Sequence, residues 1–157
     1  MRTEMTDRFE RFSIALFNIS HYWNRIAAEE MKKHSLKGAY ALYLITIYNH
    51  SEEITASKLA ELCKRDKADV SRAVTSFQNK GIAEPYGPNR YRAPIRLTEY
   101  GKDVARQVKD RADLALEAAG QGMDDEMRAH MYQCLDIIAF NMKEISEKGL
   151  KCAMEKV

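Results

Sequence analysis

Cysteine is scarce and scattered in this chain: Cys63, Cys134 and Cys152 are odd in number and form no C-x-x-C pair. That argues against a disulfide framework and a cysteine zinc site, and for a reducing compartment. Histidine is equally sparse, and His21, His34, His50 and His130 show neither H-E-x-x-H nor H-x-x-x-H spacing. Local metal motifs are therefore missing, although a site assembled in three dimensions stays open. With 7 Gly and 3 Pro in 157 residues, most of the chain is free to be helical, and each breaker marks a boundary. No apolar run approaches the roughly 20 residues that span a bilayer. The charged opening stretch, residues 1–10, lacks the apolar centre of a signal peptide. The expectation is a cytoplasmic protein with no membrane partner. A Gly-rich phosphate loop, a nucleophile elbow and paired carboxylates are also missing, so neither catalysis nor a cofactor is expected.

What is present suits one folded domain, residues 1–157, long enough to bury a proper core. The net charge of +2 is bland, but its distribution is not: residues 54–100 carry 9 basic and 5 acidic side chains, whereas residues 101–157 carry 9 and 11. The positive excess falls in the segment whose pattern is the most informative.

From Thr6 to about His34, Phe9, Phe12, Leu16, Ile19, Trp23 and Ile26 recur at spacings of three and four, one stripe of a long helix. Ala39 to His50 is strongly apolar. Its β-branched and aromatic content also suits a strand, but its length and flanking helices favour a second, buried helix. Glu53 to Thr55 fits a short strand, with Thr55 capping a helix that turns Leu59, Leu62 and Cys63 inward. Lys64 and Arg65 form a turn. Asp66 caps the next helix, which runs to about Lys80 with Val70, Ala73, Val74 and Phe77 inward and Gly81 as its stop. Residues 82–85 and 91–97 read as two strands around a Gly-Pro-Asn-Arg turn, the second alternating Tyr91, Ala93, Ile95 and Leu97 with polar residues. Pro94 cannot donate to a ladder, which places that strand at an edge. Thr98 caps a helix to about Ala119. After Gly120-Gln121-Gly122, a last helix carries Met131, Leu135, Ile138, Met142 and Ile145 and ends at Gly149.

Helix, turn, helix and basic hairpin is the layout of a winged helix-turn-helix. The expected fold is mainly α with a small β-hairpin wing: a reading lobe over about residues 39–98, and dimerisation helices over about 6–34 and 99–149. A recognition helix enters the major groove with its first turns against base edges. The outward positions there are Lys67, Ala68, Asp69, Ser71 and Arg72. The planar fork of Arg72 suits guanine, and Lys67 and Ser71 suit bases or phosphates. Ala68 suits a thymine methyl, and Asp69 suits a cytosine amine or the task of orienting Arg72. Ser57 and Lys58 are candidates for phosphate contacts. Arg90 and Arg92 are candidates for an adjacent minor groove. The competing reading is that all are solvated surface charges. Two terminal apolar stripes exceed what one small winged domain covers, which argues for a homodimer placing two recognition helices about 34 Å apart. A helical bundle within one chain is the alternative.

These residues resemble the multiple antibiotic resistance regulator (MarR) family. The stretch from Ile54 to Leu62 is similar to its first reading helix. Asp66-Lys-Ala-Asp-Val-Ser-Arg-Ala-Val followed by Gly81-Ile-Ala-Glu is similar to its recognition helix and first wing strand. Leu97-Thr-Glu-Tyr-Gly matches its LT-x-x-G signal. Departures are Lys64 where the family usually has Gly, Arg65 where it has an apolar residue, a shorter wing, and Asn89 where an acid commonly precedes the wing Arg. The resemblance implies a homodimer on palindromic double-stranded DNA, in most members a repressor released by a small molecule. Effectors there lodge between the dimer helices and the reading lobe. Here that region offers Tyr22, Arg25, Tyr40 and Tyr43 for a small aromatic or phenolic effector, with the arginine suited to a carboxylate. Core packing with satisfied polar tips is the alternative for each. The peroxide-sensing branch carries a cysteine near the start of its first helix, which this chain lacks; Cys63, and Cys134 with it, read as inward core residues. A winged-helix adaptor that binds protein instead of DNA is the other function class to weigh.

Overall fold

The structure, a computed structural model, describes residues 2–50 and 54–151, with side chains from Asp7 onward in the first helix. Its α-helices are α1 (Arg2–Lys32), α2 (Ala41–Asn49), α3 (Ala56–Cys63), α4 (Lys67–Asn79), α5 (Glu99–Ala119) and α6 (Asp125–Lys148). A single 3₁₀ turn, Gly38–Tyr40, leads into α2. The chain divides into two compact units, Met1–Ala115 and Leu116–Val157, with the boundary inside α5.

The helix starts follow from side chains that satisfy otherwise unpaired backbone N–H groups. Thr55 Oγ1 accepts from the Lys58 N–H at 3.2 Å, Asp66 Oδ1 from Ala68 at 2.7 Å, Thr98 Oγ1 from Gly101 at 2.9 Å and Asp124 Oδ1 from Met127 at 2.8 Å. Each such cap is worth about 1 kcal/mol. The first three are the caps expected from the sequence. The Thr98 hydroxyl also donates to the Gly81 carbonyl at 2.6 Å, tying the start of α5 to the end of α4.

The core of the first unit joins Met31 of α1, Tyr43, Leu44 and Ile47 of α2, Leu59 of α3, and Val70, Ala73, Val74 and Phe77 of α4. Ile82, Ile95 and Leu97 from the wing, and Val104, Ala105 and Val108 from α5, also belong to it. Residues 41–49 are helical, as their length suggested, despite a β-prone composition. Leu62 departs from expectation: it is exposed, and Ala60 takes the buried position beside Leu59.

The wing differs from the expected pair of strands. Among the described residues its pairing is limited to two isolated antiparallel bridges, Ala83 with Leu97 and Thr55 with Pro94. Glu84 N–H donates to Arg96 O at 2.8 Å, Thr98 N–H to Ile82 O at 3.0 Å and Ile95 N–H to Ile54 O at 2.8 Å. Residues 94–97 therefore lie between two partners, not at an edge. Pro94 is tolerated because its bridge to Thr55 is of the type whose hydrogen bonds come from flanking residues. Proline also explains why the ladder stops. In the register that pairs Ala83 with Leu97, Tyr86 faces Pro94, which has no N–H to give. The Glu84 carbonyl, which continued pairing would hand to Arg96, accepts from the Gln78 amide at 3.1 Å. Ile95 and Leu97 are buried as their alternation implied, but Tyr91 is exposed and Arg92 occupies a left-handed turn at φ 54°. Glu53, expected to begin a short strand, lies outside the described residues.

Among the described residues, members of both apolar stripes are exposed. Phe9, Leu16 and Ile19 of α1 are exposed, as are Leu135, Ile138 and Met142 of α6, and α6 has no buried residue. Cys134, expected to face inward, is exposed on α6.

Candidate nucleic-acid interface

The turn between α3 and α4 is short because Lys64 takes the left-handed conformation (φ 51°, ψ 48°), the geometry that usually selects glycine. Its N–H and that of Arg65 close back on α3 at Glu61 O and Ala60 O. With Asp66 capping α4 immediately afterwards, the first turns of α4 project from the lobe, and Lys67, Ala68, Ser71 and Arg72 are exposed along them.

Four of the residues singled out from sequence line one open groove of about 510 Å³: Ser57 at the start of α3, Lys67 at the start of α4, and Arg90 and Arg92 of the wing, with Tyr86 and Tyr91 beside them. Three cations and the N-terminal turns of two helices face the same space, an arrangement that attracts anions. The wing tip is shaped locally. Asn89 Oδ1 accepts from the Tyr91 N–H at 3.1 Å, and the Arg92 guanidinium lies 5.2 Å from the centre of the Tyr91 ring. Lys58 is not brought to this groove; it pairs with Glu61 at 3.1 Å and faces a second depression with His50 and Leu62.

Asp69 is held on both sides. Its Oδ2 accepts from the Tyr43 hydroxyl at 2.6 Å, and its Oδ1 accepts from Arg72 Nη2 at 3.3 Å. The Tyr43 hydrogen bond, then Arg72 and Arg65, keep the Asp69 carboxyl below the usual range despite some desolvation. Burial first, and the Asp69 carboxylate second, push Tyr43 up to about 12, so its hydroxyl remains a donor at any ordinary pH. Nothing local in the sequence signals this bond, which spans 26 positions.

The candidate effector residues do not gather. Tyr43 and Tyr40 are buried in the core, ring centres 6.2 Å apart, and Tyr40 meets Phe77 edge-on at 6.0 Å. Tyr22 and Arg25 are exposed on α1. A more enclosed cavity of about 90 Å³ lies instead among α1, α2 and α5, walled by Trp23, Ile26, Leu42, Ile45 and Val108 with Glu30 and Arg111 as polar groups. Glu30, buried, pairs with Lys33 at 2.6 Å. Periodicity marked Trp23 and Ile26 as apolar, but no spacing signals that Glu30 and Arg111 line the same cavity.

Cys63 sits half-buried with its Sγ 3.7 Å from Thr46 Oγ1, and burial pushes its thiol up, away from the reactive thiolate. Cys152 lies outside the described residues. Among the described residues no three His, Cys, Asp or Glu side chains cluster as metal ligands, and no helix is long and apolar enough to cross a membrane.

Comparison with known proteins is informative at the level of three-dimensional structure. No family model and no curated protein matches the sequence. The fold is shared with solved transcriptional regulators of the MarR family. A MarR regulator from Methanosarcina mazei superposes with a TM-score of 0.74 at 21% identity, covering 87% of this chain and 99% of its own. A Listeria monocytogenes protein described as a MarR-family transcriptional regulator, solved with a 26mer DNA, gives 0.73 at 18%, covering 87% and 94%. The Staphylococcus aureus MepR–DNA complex gives 0.72 at 17%, covering 83% and 96%.

Proposed function

We propose that this protein is a homodimeric, sequence-specific DNA-binding transcription regulator. The observation that carries the reading is the groove in which Ser57, Lys67, Arg90 and Arg92 converge beside the exposed first turns of α4. A duplex backbone laid along it meets three cations and two helix N-termini, while Ser71 and Arg72 on the next turn of α4 face base edges. Ala68 packs against a thymine methyl. Lys58, off to the side, contributes general attraction at most. The fold shared with regulators solved on DNA supports the same reading.

The dimer rests on the uncovered stripes. Phe9, Phe17 and Ile19 of α1, and Ile137, Phe140 and Met142 of α6, are each more than half exposed. A two-fold interface that buries them against their copies removes an apolar surface too large for a soluble monomer. It also sets two reading lobes at a fixed spacing, which implies a palindromic operator.

Repression relieved by a small aromatic or phenolic effector completes the proposal. The cavity among α1, α2 and α5, at about 90 Å³, is the fitting place. It is smaller than the roughly 150 Å³ that holds a benzene ring. An aromatic effector must therefore part these helices, and that displacement changes the spacing of the two lobes.

A mobility-shift titration against genomic fragments at two salt concentrations tests the reading. Selective retention of some fragments, with affinity falling steeply as salt rises, is the expected result. Arg72→Ala should weaken the retained fragments by about 1–3 kcal/mol. Indifference to every duplex at both salt concentrations overturns it.

A further inference from the structure

Tyr43 combines two properties that do not usually coincide. Its ring is only 1% exposed and belongs to the core of the reading lobe, yet its hydroxyl leaves that core to meet a side chain on the outer face of α4. The side chain it meets, Asp69, keeps 36% of its surface in solvent, so packing alone does not hold it. The 2.6 Å hydrogen bond to a carboxylate is short and charge-assisted. It pins Oδ2 and thereby aims Oδ1 at Arg72 Nη2, 3.3 Å away. Arg72 is 63% exposed, and no other hydrogen bond or ion pair to it is seen among the described residues. Without Asp69 the arginine is a long, mobile cation.

We propose that Tyr43 is a positioning residue for DNA recognition: from within the core it fixes Asp69 against Arg72, so that the guanidinium serves as a base-reading fork and not as a mobile phosphate-seeking charge. The inference rests on the reading of α4 as the recognition helix. Asp69 occupies one N–H of five, which leaves a donor pair for a guanine edge in an orientation already set before DNA arrives. The same carboxylate repels phosphate oxygens, so a register that places backbone against Arg72 is penalised. Selectivity then comes from an attractive and a repulsive element together. The clamp acts on discrimination between sequences and leaves general affinity to Lys67, Arg90 and Arg92.

The test uses the full chain and two probes: a duplex enriched from a randomised pool by the unaltered protein, and an unselected duplex of equal length. Tyr43→Phe removes the hydroxyl and keeps the ring in place. Binding to the selected duplex should weaken about tenfold, with the unselected duplex changed by no more than about twofold. In an Arg72→Ala background Tyr43→Phe should make no further difference, since the hydroxyl acts only through the arginine. Asp69→Asn, at a solvent-facing position that threatens no core packing, should reduce the ratio of the two affinities by a similar factor. An equal loss on both duplexes, the same loss in the Arg72→Ala background, or an unchanged ratio in Asp69→Asn each overturns the positioning role. Failure of the unaltered protein to enrich any sequence would instead remove the recognition-helix reading, and this inference with it. The two failures are distinguished at the enrichment step.

Discussion

Gly101 gives the sharpest test of how the lobe is assembled. It sits in the first turn of α5, and a Cβ added there would lie 1.8 Å from the Ile82 carbonyl oxygen and 2.7 Å from its carbon. Both are backbone atoms, already engaged: Ile82 O accepts from the Thr98 N–H at 3.0 Å. Ordinary carbon–oxygen contact needs well over 3 Å, so Gly101→Ala must push α5 off the base of the wing by more than 1 Å (about the shortfall at the oxygen) or break the Thr98 tether. Overpacking of this kind costs about 1–3 kcal/mol where side chains yield, and here none can. The helix propensity gained from alanine returns at most about 1 kcal/mol. The net expectation is a destabilisation of about 2–3 kcal/mol, or a melting temperature lower by roughly 4–12 °C for a chain of this size. The assay is thermal unfolding followed by circular dichroism at fixed protein concentration, since the melting of the proposed dimer would depend on it. Gly87→Ala is the control: nothing lies within 4 Å of an added Cβ and no positive φ is required there, so its melting temperature should match or exceed that of the unaltered protein. A Gly101→Ala protein that melts no lower than the Gly87→Ala control would refute the close approach.

Other expectations concern the turn, the stripes and the buried hydroxyl. Lys64→Gly relieves a left-handed backbone strain of about 1–2 kcal/mol, less about 0.5–1 kcal/mol of chain entropy, and should raise the melting temperature slightly where Lys64→Ala does not. Phe140→Asp, on the exposed stripe of α6, should yield a monomer by sedimentation equilibrium while the helical circular dichroism of each chain is retained; a dimer of unchanged strength would exclude α6 from the interface. Tyr43, raised above the unfolded tyrosine value of roughly 10, binds its proton more tightly folded than unfolded. Its contribution to stability is therefore complete below about pH 10 and is lost as pH climbs toward about 12. In an ultraviolet titration of the tyrosines a late phenolate step should be present, and Tyr43→Phe should diminish it, leaving the contribution of Tyr86, which burial also raises; a titration unchanged by that substitution would contradict the buried hydroxyl bond.

The helix starts were legible because their signals are local. Caps at Thr55, Asp66, Thr98 and Asp124 act on N–H groups two or three residues away, and the inward face of α4 follows from helical spacing alone. Exposure of Lys67, Ser71 and Arg72 is the complement of that same face. Residues 82–97 were less legible, because a pairing choice intervenes there. Alternation implied a strand through Tyr91, but Pro94 opposite Tyr86 ends the ladder, and a left-handed Arg92 turns the chain out of it. Tyr40 and Tyr43 suggested a ligand wall, since an aromatic in the core and one lining a cavity have the same spacing.

The amino-acid sequence by itself determined where α3, α4 and α5 begin, which side of α4 is apolar, and where positive charge accumulates, because capping and periodicity act within a turn or two of chain. Only the tertiary structure decided that Ser57, Lys67, Arg90 and Arg92 share one groove, that Tyr43 reaches Asp69, and that Gly101 must lack a side chain against Ile82. Those are meetings between residues distant along the chain, fixed by how close-packed surfaces fit, and no local propensity encodes them.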